Sequence, residues 1–361
     1  MQHDAKYMTR ALELAERGKN TVNPNPLVGA VIVKNDQVIG EGAHEVYGGP
    51  HAEINAIKQV SASTENATMY VNLEPCTYDG KTPPCVPEII EAGISRVVIG
   101  IQDPNPRVDG KGIRLLAENG IDVSVGVLEE KARALNRGFI RVMQSGIPWV
   151  TLKLAMTMDG FIADTQGKSQ WITGDASRKR VHRWRSDHNA VLVGSGTVLV
   201  DDPKLTVRTV PGKNPTRVVL DPEGAVPSEA HVLQSSEAET VLLRASHLSN
   251  GDNDRNTNVD IFYLPTNQSG EYDWQEILTT LYEKKGVLSV FIEGGAEISS
   301  SLLDSGYVDE LILMTGSKII GQGLSPFHRI TASMDTPHKF ELTSLEQVGN
   351  DICARYRQDE S

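Results

Sequence analysis

The sequence is poor in cysteine, in aromatic side chains and in long apolar runs. Three cysteines among 361 residues cannot build the disulfide framework of a small secreted protein. No stretch of about 18 apolar residues occurs, so a membrane span is not expected. The N-terminal residues are amphipathic and lack the apolar core and cleavage site of a secretory signal. A cytoplasmic location is therefore expected.

Basic residues are also in the minority. The 35 Lys and Arg are outnumbered by 47 Asp and Glu, for a formal net charge of −12. Nucleic-acid-binding proteins usually show a basic surplus, so we expect a small-molecule partner, no nucleic acid and no membrane. The sequence does not exclude a homo-oligomer.

Helical and strand-like segments alternate along both halves of the chain, which indicates α/β domains with helices covering a sheet. Asn35-Asp36 predicts a hairpin turn between two β-branched segments. Residues 129–146 are predicted to form one helix. A length of 361 residues favours two domains.

We place the boundary between the domains near residues 143–149, at a Gly-Ile-Pro sequence. The predicted domains are therefore residues 1–145 and residues 146–361. A segment rich in Asn, Asp and Ser, residues 246–258, is predicted to be an exposed loop.

The first half contains a set of metal-binding residue types. His51 and Glu53 stand where a helix is expected to begin after Pro50, and Cys76 and Cys85 flank a loop. One histidine and two thiolates leave a tetrahedral position open, which is typical of catalytic zinc. Glu53 would then carry protons between the attacking water and the leaving amine. His-x-Glu followed by two cysteines is the pattern of the zinc deaminases, and one zinc per chain is expected.

Each of these residues has a structural alternative. A lone histidine is more often structural, and two lone cysteines are more often buried thiols; their joint occurrence favours zinc. The spacing of Cys76 and Cys85 is longer than the usual C-x-x-C. The eight residues between them include Lys81, a point charge suited to a phosphate whose alternative is a solvated side chain.

The second half has weaker signals. No G-x-G-x-x-G follows a predicted strand, so a classical dinucleotide-binding fold is not indicated. Gly294-Gly295 lies between a strand and a helix, where backbone N–H groups can bind a pyrophosphate; a tight turn is the alternative. A second glycine-bearing turn precedes Thr197 and Asp201.

Four stretches, "NPNPLVGAVIV", "GAHEVYGGPHAEINAI", "LEPCTYDGKTPPC" and "QDPNPRVDGKG", closely resemble the bifunctional riboflavin-biosynthesis deaminase/reductase family, and the similarity extends over nearly the whole chain. The resemblance implies a cytidine-deaminase-like three-layer α/β/α domain followed by a dihydrofolate-reductase-like α/β domain. It implies zinc-dependent deamination of 2,5-diamino-6-ribosylamino-4(3H)-pyrimidinone 5′-phosphate. NADPH-dependent reduction of the ribosyl group to ribityl would follow.

The resemblance also implies binding residues. Those for the pyrimidine and its phosphate are Asn25, His44, Ala52, Glu53 and Lys81. Those for NADPH are Ala155, Trp171, Thr197, Asp201, Gly294, Gly295 and Ala296. Those for the reductase substrate are Ser169, Arg185, Leu205, Arg208 and Glu293. Lys153 and Glu293 are candidates for polarising the aldehyde or relaying a proton.

Simpler roles remain open for several of these residues: a turn for Asn25, a surface position for His44, core packing for Trp171, and surface ion pairs for Arg185 and Arg208. The chain departs from the family pattern at three further positions. Thr77-Tyr78 stands where the family commonly has Ser-His, and Asn55 stands where it commonly has His. A nucleic-acid deaminase and a non-enzymatic nucleotide-binding protein are the competing functions. The acidic net charge disfavours the first, and the intact zinc motif disfavours the second.

Overall fold

The computed structural model describes residues 2–61, 63–249 and 258–358. The chain divides into two compact units, Met1–Gly146 and Ile147–Ser361. No helix in the described ranges is both long enough and apolar enough to cross a membrane.

The first unit is built on a mixed sheet in the order β2-β1-β3-β4-β5. Its strands are β1 (Gly29–Lys34), β2 (Gln37–Ala43), β3 (Thr68–Leu73), β4 (Arg96–Ile101) and β5 (Asp122–Val125). Its α-helices within the described residues are α1 (Gln2–Ala15), α2 (Ala52–Gln59), α3 (Cys85–Glu91), α4 (Lys111–Glu118), α5 (Glu129–Leu135) and α6 (Arg137–Ser145). Strand β1 pairs antiparallel with β2 and β3, whereas β3, β4 and β5 are parallel.

The hairpin predicted at Asn35-Asp36 is confirmed. Both residues have positive φ, 49° and 61°, which is the backbone of a type I′ turn. The single helix predicted over residues 129–146 is wrong, because two helices meet at Asn136. The amide of Asn136 instead bonds both the N–H and the C=O of Leu27, at 2.8 and 2.9 Å.

Helix α2, which carries the first candidate site, lies unusually close to strand β2. A Cβ at Gly42 would lie 2.2 Å from the Ala52 carbonyl oxygen, and one at Gly40 would lie 2.5 Å from that of Ala56. Only glycine permits this approach of helix to strand. The start of α2 is therefore held at a fixed place beside the sheet.

The second unit is built on a nine-stranded sheet in the order β10-β9-β8-β7-β11-β6-β12-β14-β13. Its strands are β6 (Trp149–Met156), β7 (Ala190–Gly194), β8 (Thr216–Asp221), β9 (Thr240–Ala245), β10 (Val259–Leu264), β11 (Ser289–Glu293), β12 (Glu310–Thr315), β13 (Phe340–Val348) and β14 (Asp351–Gln358). Its α-helices within the described residues are α7 (Asp175–Asp187), α8 (Ser195–Asp201), α9 (His231–Gln234), α10 (Trp274–Lys285) and α11 (Ala296–Asp304). Strands β6 to β12 are parallel, and β14 and β13 continue the sheet antiparallel. Apolar clusters fill both faces of this sheet.

Some elements of this unit are absent from the sequence prediction, among them β6, β13 and β14. Most residues of β13 are exposed, so its sequence lacks the apolar period that marks a half-buried strand. Within the segment predicted as a loop, Ser246–Leu248 form a 3₁₀ turn. Residues 250–257 lie outside the described residues.

Candidate active sites

The three predicted zinc ligands converge in the first unit. His51 immediately precedes α2, Cys76 follows β3, and Cys85 is the first residue of α3; their ligand atoms all lie within 4.8 Å of one another. The Nδ1 atom of His51 is 3.1 Å from Cys85 Sγ and 3.5 Å from Cys76 Sγ. Its Nε2 atom is 3.0 Å from Thr82 Oγ1. Metal-bound histidines commonly have a hydrogen-bond partner on the outer ring nitrogen; here the Thr82 hydroxyl takes that place and leaves Nδ1 facing the sulfurs.

The electrostatics of this cluster suit a cation. A hydrogen bond from the Cys85 thiol lowers the pKa of Cys76 to about 5, and the same bond, together with burial, raises the pKa of Cys85. One thiolate is thus favoured without a metal, and the second requires a positive charge beside it. Among the described residues, no donor reaches the buried Glu53 Oε2 atom, so this oxygen is available to a water. The donor set and this orphaned oxygen both fit zinc with a water.

Residues predicted to hold the pyrimidine lie beside the cluster. His44 is only 2% exposed, so its alternative as a surface residue is wrong. Its Nδ1 is 3.0 Å from the Pro50 carbonyl oxygen, which can only accept, and its Nε2 is 3.0 Å from Asn25 Nδ2. The Nδ1 atom must therefore carry the proton, and Asn25 donates to Nε2. The carbonyl oxygen of the Asn25 amide is left to accept a hydrogen bond. Ala52 is fully buried.

Lys81 lies on the exposed loop between the two cysteines. Its Nζ atom is 4.0 Å from the ring centroid of Tyr47, a cation–π distance. The ring restricts the lysine while leaving its charge at the surface. The amine is thus exposed and restrained by the ring, and the phosphate contact of Lys81 stays a prediction.

Two of the residues that depart from the family pattern make local contacts. Asn55 Nδ2 donates to the Ala43 carbonyl oxygen at 2.8 Å and lies 3.4 Å from that of Pro50. Its side chain thus ties α2 to the end of β2. The ring of Tyr78 has its centroid 5.8 Å from the guanidinium carbon of Arg107.

One residue of this site was missed from the sequence. Glu74, at the end of β3, is 3% exposed and accepts four backbone N–H bonds. The donors are Asp103 and Gly110 on Oε2, at 3.1 and 3.0 Å, and Gly112 and Ile113 on Oε1, at 2.9 and 3.2 Å. A glutamate directly before Pro-Cys at a strand end was the available signal, but its partners are backbone groups that no motif reveals.

The second unit contains a cavity of about 1030 Å³. It lies at the carboxyl ends of β6, β7, β8 and β11, the usual ligand edge of parallel sheets. Its lining includes every residue predicted for the reductase half: Lys153, Ala155, Ser169, Trp171, Arg185, Thr197, Asp201, Leu205, Arg208, Glu293, Gly294, Gly295 and Ala296.

A largely buried ion pair, with side chains 11% and 16% exposed, lies in the lining of this cavity. Arg185 Nε and Nη2 bind the two carboxylate oxygens of Glu293 at 2.5 and 3.0 Å, so Arg185 is an ion-paired residue but not a surface one. Burial raises the pKa of Glu293, but the charges of Arg185 and Lys153 outweigh it and the pKa is lowered. Burial lowers the pKa of Lys153, and the carboxylate of Glu293 partly offsets the effect. A carboxylate and an amine whose pKa lies below its ordinary value thus face one cavity.

Another part of the cavity wall is formed by the exposed ring of Trp171. Trp171 is 59% exposed, so its alternative as a core residue is wrong; the guanidinium carbon of Arg178 lies 4.5 Å from its ring centroid. A Cβ at Gly295 would lie 4.0 Å from Thr197 Oγ1. The glycine turns after β7 and β11 are therefore neighbours. Helix α11 begins directly after the second turn, and its first residue lines the cavity.

A histidine and two cysteines around one point, next to a buried glutamate on an α/β sheet, define the zinc-dependent deaminases. Comparison with known proteins agrees. Residues 1–101 match the cytidine and deoxycytidylate deaminase zinc-binding region, and residues 148–354 match the RibD C-terminal domain. The chain belongs to the RibD family of riboflavin biosynthesis proteins.

The similarity to individual relatives extends over the full length. Riboflavin biosynthesis protein RibD of Bacillus amyloliquefaciens is 42% identical, covering 96% of this chain and 94% of the relative. That of Aquifex aeolicus is 40% identical, covering 98% of both. A crystal structure from Thermotoga maritima, a diaminohydroxyphosphoribosylaminopyrimidine deaminase/5-amino-6-(5-phosphoribosylamino)uracil reductase, is 39% identical with a TM-score of 0.89 over 99% of both chains. Acinetobacter baumannii RibD has a TM-score of 0.87 at 36% identity, also over 99% of both.

The predicted fold class is thereby confirmed. The chain is a bifunctional enzyme of riboflavin biosynthesis, with a zinc-dependent deaminase activity and a reductase activity that uses NADPH.

Proposed function

We propose that the enzyme deaminates 2,5-diamino-6-ribosylamino-4(3H)-pyrimidinone 5′-phosphate and then reduces the ribosyl group of the product to ribityl. The domain of residues 1–145 would perform the first step and that of residues 146–361 the second. The observation that carries the proposal is the convergence of His51, Cys76 and Cys85 within 4.8 Å of one another, next to the buried Glu53. The name of the Thermotoga maritima relative, which is similar over both units, supports the substrate.

In the deamination, His51, Cys76 and Cys85 hold the zinc. When bound, zinc acts as a Lewis acid that makes hydroxide available near neutral pH. Glu53 takes a proton from the attacking water, whose oxygen bonds to the ring carbon that carries the amino group. The same carboxyl returns the proton to the departing nitrogen, the C–N bond breaks, and ammonia leaves.

Other residues of the first unit orient the pyrimidine. The Asn25 carbonyl oxygen is suited to accept a hydrogen bond from a ring or amino N–H, because the amide nitrogen is already committed to His44. Ala52 supplies a small wall beside the ring. Lys81, positioned on the ring of Tyr47, pairs with the 5′-phosphate.

In the reduction, NADPH when bound would supply a hydride to C1′ of the opened sugar, which is the carbon of an imine because it stays bonded to the amino nitrogen. Lys153 donates the balancing proton to the imine nitrogen, a role that suits an amine whose pKa is lowered by burial. Arg185 and Glu293 hold the substrate chain beside it, with Ser169, Leu205 and Arg208 lining the same end. The N–H groups of Gly294, Gly295 and Ala296 bind the pyrophosphate. Ala155, Trp171, Thr197 and Asp201 complete the cofactor site.

The test of the deaminase assignment is Glu53→Gln. This variant is expected to retain about one zinc per chain and to lose deamination by roughly a hundredfold or more, the usual value of positioned proton transfer. Reductase activity on supplied deaminated substrate is the internal control and should not change. Loss of zinc from the variant would show that Glu53 is a ligand and refute its assigned role.

The test of the two-step assignment is mass spectrometry of the purified enzyme with the diaminopyrimidine substrate. Without NADPH we expect only the deaminated product, and with NADPH the deaminated and reduced product. Oxidation of NADPH with no prior deamination would contradict the order.

A cytoplasmic location and a homo-oligomeric state belong to the same proposal. Two thiolate ligands require reduced cysteines, which the cytoplasm maintains. The last strand of the sheet, β13, has two half-exposed leucines, Leu342 at 50% and Leu345 at 64%, a surface suited to a second copy. Light scattering after size-exclusion chromatography measures the mass, and a monomer at micromolar concentration would contradict the oligomer.

A further inference from the structure

We propose that Glu223 sets the cofactor selectivity of the reductase site by facing the 2′ position of the adenosine ribose. Its carboxylate would accept a hydrogen bond from the 2′-hydroxyl of NADH and repel the 2′-phosphate of NADPH. The enzyme would then prefer NADPH only weakly. This inference rests on the dinucleotide site proposed above.

The position of Glu223 follows from the order of the strands. Glu223 lies two residues beyond the end of β8 and lines the same cavity as Lys153 and the glycine turn at Gly294. The strands run β8-β7-β11-β6 across this edge. A dinucleotide with its nicotinamide beside Lys153 on β6 and its pyrophosphate after β11 extends its adenosine over β7 and β8. Two strand spacings of about 4.8 Å separate β11 from β8.

The turn that carries Glu223 is anchored by the buried side chain of Asp221. Asp221 is fully buried, and its Oδ1 accepts backbone N–H bonds from Ala225 at 2.8 Å and Val226 at 3.3 Å. Its Oδ2 is 3.4 Å from Arg244 Nε. Gly224 has a φ of +67°, which favours glycine in the turn. The backbone of Glu223 is therefore held in place at the rim of the cavity.

The charges at this end of the cavity do not favour a phosphate. His231 Nδ1 lies 2.5 Å from Asp202 Oδ2, and the backbone N–H of His231 donates to Asp202 Oδ1 at 2.8 Å. Lys204 also lines the cavity, and the negative charge of Glu223 offsets its positive charge. No ion pair or hydrogen bond of the Glu223 side chain occurs within the described ranges. The two acids thus balance or exceed the cations.

Three other cationic groups of the lining have partners elsewhere, and Arg208 is assigned above to the substrate end of the cavity. Arg329 binds both Glu271 and Glu297 at 2.5 Å, Arg185 binds Glu293, and the side chain of Arg178 lies over the ring of Trp171.

The test is the equilibrium binding of NADPH and NADH to the full zinc-loaded chain, without the pyrimidine substrate. Quenching of tryptophan fluorescence gives both dissociation constants, because Trp171 and Trp274 line the cavity. The variants are Glu223→Gln and, as a matched control, Glu229→Gln. Glu229 is exposed and lies outside the lining.

In Glu223→Gln, the ratio of the NADPH affinity to the NADH affinity is expected to rise about five- to tenfold. This is the effect of removing one negative charge about 5 Å from a phosphate close to solvent. High salt should shrink the change, and Glu229→Gln should show none. A ratio that stays within twofold of wild type in Glu223→Gln overturns the proposal, even if both affinities fall together. Failure of wild type to bind either nucleotide overturns the cofactor site itself, and this inference with it.

Discussion

Replacement of Glu74 by glutamine should destabilise the deaminase unit although it removes no atom from the core. The carboxylate of Glu74 accepts four backbone N–H groups, two on each oxygen, at 2.9–3.2 Å. An amide keeps one oxygen and presents an NH₂ group in place of the other. The NH₂ group would face two donors, either those of Asp103 and Gly110 or those of Gly112 and Ile113.

The magnitude follows from the two N–H groups left without an acceptor. Each buried unsatisfied group costs about 1–3 kcal/mol, so the expected loss is about 2–6 kcal/mol in the free energy of unfolding. Rearrangement of the segment is limited, because a Cβ at Gly112 would already lie 2.2 Å from the Pro75 carbonyl oxygen. Since Pro75 precedes a zinc ligand, zinc release should accompany the same transition.

The assay is urea denaturation followed by zinc release to a coloured chelator and by far-UV circular dichroism. Tryptophan fluorescence provides a separate signal, because all four tryptophans, Trp149, Trp171, Trp184 and Trp274, belong to the second unit. Glu118→Gln, at an exposed site on α4, is the matched control. A change below about 1 kcal/mol in Glu74→Gln, with zinc retained, would show that the four bonds do not hold this segment and would refute the reasoning.

Three further predictions concern other charged groups. Arg185→Gln leaves the Glu293 carboxylate without its partner and should lower the stability of the second unit by about 3–5 kcal/mol; tryptophan fluorescence in urea measures this, and an unchanged midpoint would contradict it. Burial, followed by the charge of Glu74, raises the pKa of Asp103 from its ordinary value of 3.8 to about 7. The unfolded chain therefore ionises first, and wild-type stability should fall as pH rises from about 4 to 7. Asp103→Asn lacks this loss, so its stability relative to wild type should rise across that window in urea titrations and then stay constant; a difference independent of pH would argue against a buried neutral carboxyl. Lys81→Ala should raise KM for the deamination about tenfold or more through the lost phosphate contact while kcat and zinc content are kept, and steady-state kinetics with an unchanged KM would remove Lys81 from the substrate site.

Local chemistry explains what could be predicted from the sequence. The Asn35-Asp36 turn depends on two residues that tolerate positive φ, and it forms as expected. The zinc cluster depends on histidine, glutamate and cysteine residues that seldom occur together in this pattern, and its three ligands converge.

Predictions failed where distant backbone decides the structure. The helix predicted over residues 129–146 is interrupted at Asn136, whose amide bonds Leu27, 109 positions earlier in the chain. The role of Glu74 depends on backbone N–H groups, which every residue other than proline has, so no residue type signals them. Strand β13 is held by pairing with β14 and presents mainly polar, exposed positions, so periodicity carries little information there.

The zinc ligands come from three separate places in the chain, and this has a consequence for the rate of metal uptake. Cys76 and Cys85 are close in sequence, but His51 takes its place beside them only when α2 lies against β2. An unfolded chain therefore offers these two thiolates near each other, and the third ligand of the site arrives with tertiary structure. Tight zinc capture cannot be faster than the folding of the first unit, so the kinetics of metal uptake in a refolding experiment would time the docking of α2 onto the sheet.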